Sequence, residues 1–561
     1  MGETVSGDPS YRLAQELHAR AMVAAGEDRL DEAIELLNQA IQESPELVAL
    51  HVNRGVFLNQ TGRHLEAIEE FRRAIELNPR TPPAWNNLSN AFSAIGQPDD
   101  AADAAERSLA IDPDQAEALN ALGNALKDLG RLEEAIAAYE RGAQLRPDLP
   151  QLASNALYTA HFLPGQTPQR LLELHRNWAN QFANWAASHW PAMDRDPNRP
   201  LRIGYVSADF CNHPVGRFVL PLLMHHDRNR FSTTCYSGVA CPDAMTDELR
   251  RQVNRWRNVR KLSDDQLASI IREDRIDILV DLSLHLRGNR LLTFARKPAP
   301  IQVTWLAYSS TSGLQAMDYR FTDPYLDPDL PKRNEMYVER SVRLKSFWCY
   351  QPPADSPDVT DPPCRANEFV TFGCFNNFCK VTSETLELWR RILQQIPDSR
   401  LLLHAPEGSP RQRVLDVLNV GIDRIQFVGR VSHEAYLRAH SSIDMALDPS
   451  PCTGGTTTCD ALWMGVPVVS LVGDTAVARS GLSILSRAGL GELATHSPDQ
   501  YVAMAFRLAK DIEWLSHLRT TLRNRLLASP LLNAAAFTED VESNYRAMWL
   551  EYVSRTSRLR S

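Results

Sequence analysis

Proline recurs at Pro45, Pro79, Pro113 and Pro147, 34 residues apart each time. In the same frame stand Ala33, Ala67, Ala101 and Ala135, and between the two halves of each period come Gly62, Gly96 and Gly130. Small residues suit points where two helices touch, and a glycine suits the turn between them. Large apolar residues (Leu50, Phe57, Phe71, Trp85, Tyr139) fill the spaces. A unit of this length is one pair of helices that cannot bury its apolar face alone. Successive pairs must therefore stack into a superhelix with a concave groove.

The 34-residue helix–turn–helix period with proline at the unit end is the tetratricopeptide signature. There are four units, 11–44, 45–78, 79–112 and 113–146, so that 1–146 forms a repeat superhelix. The first unit carries Asp28 where the others carry the turn glycine, which suits a terminal repeat. Asn53, Asn86, Asn87, Asn90, Asn120 and Asn124 fall at or near equivalent positions of the first helices. An amide offers both a donor and an acceptor, so such a ladder fits the backbone of an extended peptide; a solvated polar face accounts for it equally.

At 561 residues the chain holds further domains. Its 43% hydrophobic and 23% charged residues are ordinary for a globular protein, and a net charge of -9 argues against nucleic acid and membrane surfaces as partners. No run of 18 apolar residues is present, the start of the chain is polar without an apolar signal core, and nine cysteines lack C-x-x-C or zinc spacing. The expected location is the cytoplasm, with reduced thiols.

Residues 147–199 read as less regular helix, with Trp178, Trp185 and Trp190, docking the repeats onto the catalytic region. The period then changes. Apolar strands are expected at 201–207, 233–239, 276–282, 301–306 and 319–322, with helices at 215–225, 246–254, 264–273 and 290–295 between them. Alternation of buried strands with helices implies a parallel sheet. Five prolines among the twelve residues 352–363 mark a linker, and a second set of strands is expected at 370–375, 400–404, 425–428, 443–447 and 467–471. The domains are thus 200–350, a linker at 351–367, 368–532, and a closing helical segment, 533–561, that packs back on the first sheet. Two doubly wound domains place ligand at the C-terminal strand ends.

The loop after 443–447 runs Asp448-Pro449-Ser450-Pro451-Cys452-Thr453-Gly454-Gly455-Thr456-Thr457-Thr458-Cys459-Asp460. Its glycines let a backbone approach a ligand, and its threonines sit where a helix begins, with Asp460 expected on the first turn. Free amides and the positive end of the helix fit an anion such as a diphosphate. It is neither a P-loop nor G-x-G-x-x-G.

Repeats joined to two α/β domains, with G-Y-V-S-A-D-F-C-N-H-P, R-K-P-A-P-I-Q-V-T-W-L-A-Y, C-F-N-N-F-C-K and G-G-T-T-T-C-D-A-L-W-M-G-V-P-V-V in order, resemble the O-linked N-acetylglucosamine transferases and their SPINDLY-like bacterial relatives. The resemblance implies an α + α/β architecture, the tetratricopeptide superhelix followed by a GT-B glycosyltransferase of two Rossmann-like domains. It also implies inverting transfer of a sugar from UDP-N-acetylglucosamine to Ser or Thr of proteins, with no bound metal and no cofactor beyond the donor. Lys380 matches the phosphate-contacting lysine; Gly454, Gly455, Thr456 and Thr457 match the diphosphate loop, and Asp460 the aspartate on the ribose. His213 matches a histidine that serves as base or as a substrate contact, with Asp209 to orient it or relay its proton, and His161 is a weaker third candidate. Val431, His433 and Tyr436 match the surface for uracil, Tyr436 by stacking.

Some positions depart from the family. Gly455 replaces a histidine and Asn377 a glutamine, Leu284 to Leu286 replace Gly-His-Thr-like residues, and Ala307-Tyr308-Ser309-Ser310 replaces Gly-Tyr-Pro-Gly. These put the sugar in question more than the nucleotide, and the resemblance leaves GDP-fucose transfer, or a nucleotide-binding repeat scaffold of low turnover, as alternatives. Asp327-Pro328-Asp329 has the D-x-D spacing of a metal site but lies in a proline-broken loop, where turn chemistry is expected.

Overall fold

The computed structural model describes residues 9–183, 194–330 and 333–558. Trp185, Trp190 and the polar start of the chain, 1–8, lie outside these residues; Trp178 is buried. The chain divides into a repeat unit, residues 1–156 with 406–411, and an α/β unit made of the rest.

Four antiparallel pairs build the repeat unit: Pro9–Gly26 with Leu30–Glu43, Val48–Gln60 with His64–Leu77, Pro82–Ile95 with Pro98–Ile111, and Ala116–Asp128 with Leu132–Leu145. Gly62, Gly96 and Gly130 turn the chain with φ of 83°, 80° and 75°, and Asp28 adopts the same left-handed backbone at 68°. An aspartate tolerates that region better than most side chains, which explains how the first repeat dispenses with glycine. Ala33, Ala67, Ala101 and Ala135 are wholly buried. Size is balanced within each pair. A Cβ on Gly55 would lie 2.5 Å from the Phe71 ring, and one on Gly123 2.5 Å from the Tyr139 ring. The equivalent third-repeat positions are Ser89 and Ala105, both fully buried, with Ser89 Oγ donating to Ala101 O at 2.7 Å.

The asparagine ladder spends part of its capacity within the unit. Asn155 Nδ2 donates to Asn120 Oδ1 at 2.8 Å, Tyr139 Oη donates to Asn124 Oδ1 at 2.8 Å, and Asn53 Nδ2 meets His18 Nε2 at 2.7 Å. Two of these bonds, His18–Asn53 and Asn120–Asn155, join residues one repeat apart and so tie consecutive units, a role the spacing alone did not separate from peptide capture.

The α/β unit contains two parallel sheets. In the first, β1 (Leu201–Ser207), β2 (Phe231–Ser237), β3 (Arg255–Asn258), β4 (Ile278–Asp281), β5 (Ile301–Thr304), β6 (Tyr319–Thr322) and β7 (Arg340–Arg343) lie in the order β3-β2-β1-β4-β5-β6-β7. In the second, β8 (Thr371–Cys374), β9 (Arg400–His404), β10 (Ile425–Val428), β11 (Met445–Leu447), β12 (Val468–Leu471) and β13 (Ala494–Thr495) lie in the order β10-β9-β8-β11-β12-β13. Strands β3, β7 and β13 were not expected. They are edge strands, and β3 (RWRN) and β7 (RSVR) alternate charge rather than apolar residues, as edges do. The helix expected at 246–254 is Ala244–Arg251, started by an Asp243/Thr246 capping box, and the chain enters β3 directly after it.

Strand order reverses between β1 and β4 in the first sheet and between β8 and β11 in the second. At each such point neighbouring loops diverge and leave a crevice. The last helix, Ala534–Arg558, packs on the first sheet's domain: Glu542 accepts from His226 Nδ1 at 2.8 Å, and Tyr545 Oη meets Tyr205 Oη at 3.3 Å.

Candidate functional site

The crevice of the second sheet is built by the loop after β8, which carries Asn376, Asn377 and Lys380, and the loop after β11, which runs from Asp448 to Gly455. Gly455 caps the helix Thr456–Trp463, so the free amides of Thr456, Thr457 and Thr458 open onto this loop. Lys380 Nζ donates to Thr453 O at 3.1 Å, and Thr457 Oγ1 donates to Asn376 Oδ1 at 2.9 Å, bracing one loop on the other. Asn376, buried, makes this link; Asn377 is exposed at the N-cap of a short 3-10 turn and has no part in it.

Gly454 permits the arrangement. A Cβ there would stand 2.6 Å from Thr457 Oγ1 and 2.8 Å from Asp448 Oδ1, with Thr458 Oγ1 closer still. Asp448, fully enclosed, accepts from Thr458 Oγ1 at 3.3 Å. Burial pushes its carboxyl up to about 6, against the pull of Ser470, Lys380 and the loop donors. Burial works against the Lys380 ammonium, yet the Cys452 and Cys379 sulfurs and the Asp448 carboxylate hold its pKa above the ordinary lysine value. Lys380 therefore stays charged. A Cβ on Gly455 would meet the Trp348 indole at 3.1 Å. The position that lacks the family's histidine is covered by Trp348 of the first domain, a residue that no sequence motif singles out.

Asp460 sits on the second turn of its helix, not the first as expected, because the helix begins at Thr456. It is 2% exposed. Tyr350 Oη donates to its Oδ1 at 2.6 Å and Tyr436 Oη to its Oδ2 at 3.1 Å, while Arg217 Nη1 lies 3.8 Å from Oδ2. Burial raises its carboxyl pKa despite the two tyrosines and the guanidinium. Tyr436 stacks on His433 with centroids 5.6 Å apart and planes at 21°, and packs edge-on against His440. Arg217 Nη2 donates to His433 Nδ1 at 3.4 Å. Val431 is exposed at the edge of this group. The residues expected to face a nucleoside thus come together, with Arg217 and Tyr350 added from outside the motifs.

In the first sheet's crevice, His213 caps the helix Pro214–His225, its Nδ1 accepting from Val215 N at 3.3 Å. In the neutral ring this puts the proton on Nε2. Burial lowers the pKa of His213, against the opposing charge of Asp209. Asp209 Oδ2 lies 3.9 Å from Nδ1, too far to orient the ring by a hydrogen bond, and burial raises its own pKa against the pull of His213 and Arg287. The loops after β4 and β5 hold two leucines in left-handed backbone, Leu284 at φ 44° and Leu306 at φ 83°. Leu284 is the residue that stands for a glycine, and it has kept the conformation glycine adopts more cheaply. Asp281 fixes this loop by accepting from Ser283 N, Leu284 N and Thr304 Oγ1, and burial lifts its carboxyl to about 6.

His161 is enclosed beside His175 and Tyr308, at ring centroids 5.4 Å and 4.9 Å, and burial drives its pKa well below the ordinary value. This corrects its candidacy as a base, since a proton on that ring has no access to solvent. Asp327, also fully buried, accepts from Arg320 Nη1 at 2.8 Å and Arg333 Nε at 3.0 Å, whereas Asp329 is exposed. The D-x-D segment is an arginine anchor. Among the described residues no helix is long and apolar enough to cross a membrane.

Comparison with known proteins agrees with this architecture. The profile of Glycosyl transferase family 41 matches residues 181–347 and 364–541, and tetratricopeptide profiles match 46–114 and 86–150. A Solanum lycopersicum protein described as "Probable UDP-N-acetylglucosamine--peptide N-acetylglucosaminyltransferase SPINDLY" is 39% identical over 413 residues, covering 71% of this chain and 44% of the relative. An Arabidopsis thaliana protein of the same description is 38% identical over 413 residues, covering 71% of this chain and 45% of the relative. The chain thus spans under half the length of these curated relatives. A solved mutant of the Thermobaculum terrenum O-GlcNAc transferase superposes with a TM-score of 0.85 at 36% identity, covering 91% of this chain and 98% of that one. Four sequence motifs, two reversed parallel sheets and this match place the chain in glycosyl transferase family 41, as an O-GlcNAc transferase/SPINDLY-like member.

Proposed function

We propose that this protein is an inverting, metal-independent transferase that moves N-acetylglucosamine from UDP-N-acetylglucosamine to Ser or Thr of proteins. The observation that carries it is the cradle of Lys380, the Thr456–Thr458 amides and the Gly454–Gly455 backbone at the second sheet's reversal point. When the acceptor oxygen attacks the anomeric carbon from the opposite face, the bond to the diphosphate breaks and its electrons pass to the departing phosphate. A charged lysine beside a helix N-terminus stabilises that charge where it develops. Asp460, Tyr436, His433 and Val431 receive the nucleoside.

His213, holding its proton on Nε2, donates to the substrate rather than abstracting from it. The acceptor proton passes to Asp209, whose burial-raised pKa makes it a stronger base than an exposed aspartate. The repeat groove presents the protein acceptor, and the location is the cytoplasm. The test is labelling of proteins by UDP-N-acetylglucosamine, with mass spectrometry of modified Ser and Thr, beside thermal-shift titrations with UDP and GDP. Stabilisation by GDP alone would replace the donor with a GDP-sugar such as GDP-fucose. UDP binding without any labelled protein would leave a nucleotide-binding scaffold.

A further inference from the structure

Arg217 stands on the first domain's helix Pro214–His225, yet its guanidinium lies among residues of the second. Its side chain is 13% exposed. Nη2 donates to His433 Nδ1 at 3.4 Å. Nη1 is buried without a hydrogen bond, its nearest carboxylate oxygen being Asp460 Oδ2 at 3.8 Å. His433 Nε2 is likewise buried without a hydrogen bond. Because Nδ1 of that ring faces a donor, its proton sits on Nε2, so both unpaired nitrogens are donors. Buried donors left unpaired are costly, and their usual explanation is a partner that binds there.

The spacing specifies the partner. A donor and a carboxylate oxygen 3.8 Å apart are too far to bond each other, but a hydroxyl oxygen can stand at hydrogen-bond distance from both. Such a hydroxyl would accept from Arg217 Nη1 and donate to Asp460 Oδ2. His433 Nε2–H offers a second donor for the adjacent oxygen. One acceptor flanked by two donors matches a vicinal diol, which carries two oxygens that both accept and donate. Tyr350 and Tyr436 hold the Asp460 carboxylate in place for it.

We propose that Arg217 is a donor-binding residue supplied by the first domain, which with Asp460 and His433 clasps the ribose diol of the nucleotide. The inference rests on the nucleotide-sugar assignment above and extends it, because it makes the nucleoside subsite a joint product of both domains. An arginine at this place grips the sugar of the nucleotide and not its base.

The experiment is calorimetric titration of the wild-type protein, Arg217→Ala and Arg217→Lys with UDP and with 2′-deoxy-UDP and 3′-deoxy-UDP. Wild type is expected to bind UDP, and at least one deoxy analogue roughly tenfold or more weakly, the worth of one hydrogen bond to a charged donor. Arg217→Ala is expected to lose roughly tenfold in UDP affinity and to bind UDP and that analogue nearly alike, with Arg217→Lys between. The ratio between two ligands within one variant does not depend on how much of it is folded. An unchanged UDP-to-deoxy ratio in Arg217→Ala would overturn the clasp while leaving the nucleotide assignment standing. Wild type that binds no nucleoside diphosphate would overturn both.

Discussion

Replacing Gly454 by alanine tests whether the loop after β11 owes its shape to the space at that residue. The added Cβ would lie 2.6 Å from Thr457 Oγ1 and 2.8 Å from Asp448 Oδ1, with Thr458 Oγ1 nearer than either. Asp448 is buried and cannot retreat into solvent, so the threonine hydroxyls must rotate away. Overpacking of this kind costs about 1–3 kcal/mol. Loss of the Thr458 bond to the Asp448 carboxylate, long at 3.3 Å, adds about 1 kcal/mol. The expected total is about 2–4 kcal/mol, and where it falls on the binding-competent loop it weakens nucleotide binding by roughly thirty- to a thousandfold. Urea unfolding gives the stability change and a UDP titration the affinity change. Thr458→Ala removes the closest atom, so the double variant should recover about 1 kcal/mol relative to the sum of the singles. Strict additivity, or a Gly454→Ala protein as stable and as tight-binding as wild type, would refute the idea that this glycine sets the loop.

Three more tests use the same geometry. Asp448 has its carboxyl raised to about 6, so the charged form is penalised in the folded state: its contribution is full below about pH 4 and is lost as pH climbs to about 6. That loss amounts to about 3 kcal/mol, and Asp448→Asn should flatten this part of the stability–pH curve; an unchanged slope contradicts it. His213→Ala should cost about 1 kcal/mol of stability along with most activity, because it removes a helix cap, whereas His213→Asn restores an N-cap acceptor and the stability but not the activity. Equal activity in the two would show that only the cap mattered. Lys380→Ala should lower kcat by roughly two to three orders of magnitude, comparable to losing one oxyanion donor, and a kcat within a few fold of wild type would remove it from the leaving-group site.

The repeats were legible because their period is imposed by geometry: each helix pair must meet the next in the same way, so alanines, glycines and prolines return in register. Strands in the sheet interiors were legible for a related reason, being buried on both faces and continuously apolar. The edge strands β3 and β7 were not, since arginines that keep an edge soluble erase the apolar pattern. Within the site, the glycine–threonine loop and Lys380 were visible as local motifs. Asn376 was passed over for its neighbour Asn377 because the two are chemically identical and only the turn at Phe378–Lys380 decides which points inward. Arg217, Trp348 and Tyr350 left no trace, because each meets its partner on a distant segment and belongs to no spaced pattern of its own.

The paired sizes inside the repeats bear on how such an array can be altered. Phe71 fits because position 55 is bare, Tyr139 because position 123 is, and Ser89 faces only Ala105. Exchanging a single helix between the second and third repeats would set a serine against a phenylalanine in one and leave a void between glycine and alanine in the other. Whole helix pairs carry their own complement and can be moved together. The natural unit of duplication, deletion or grafting in this array is therefore the matched pair, and length can change by whole repeats at little internal cost, whereas recombination inside a repeat is selected against.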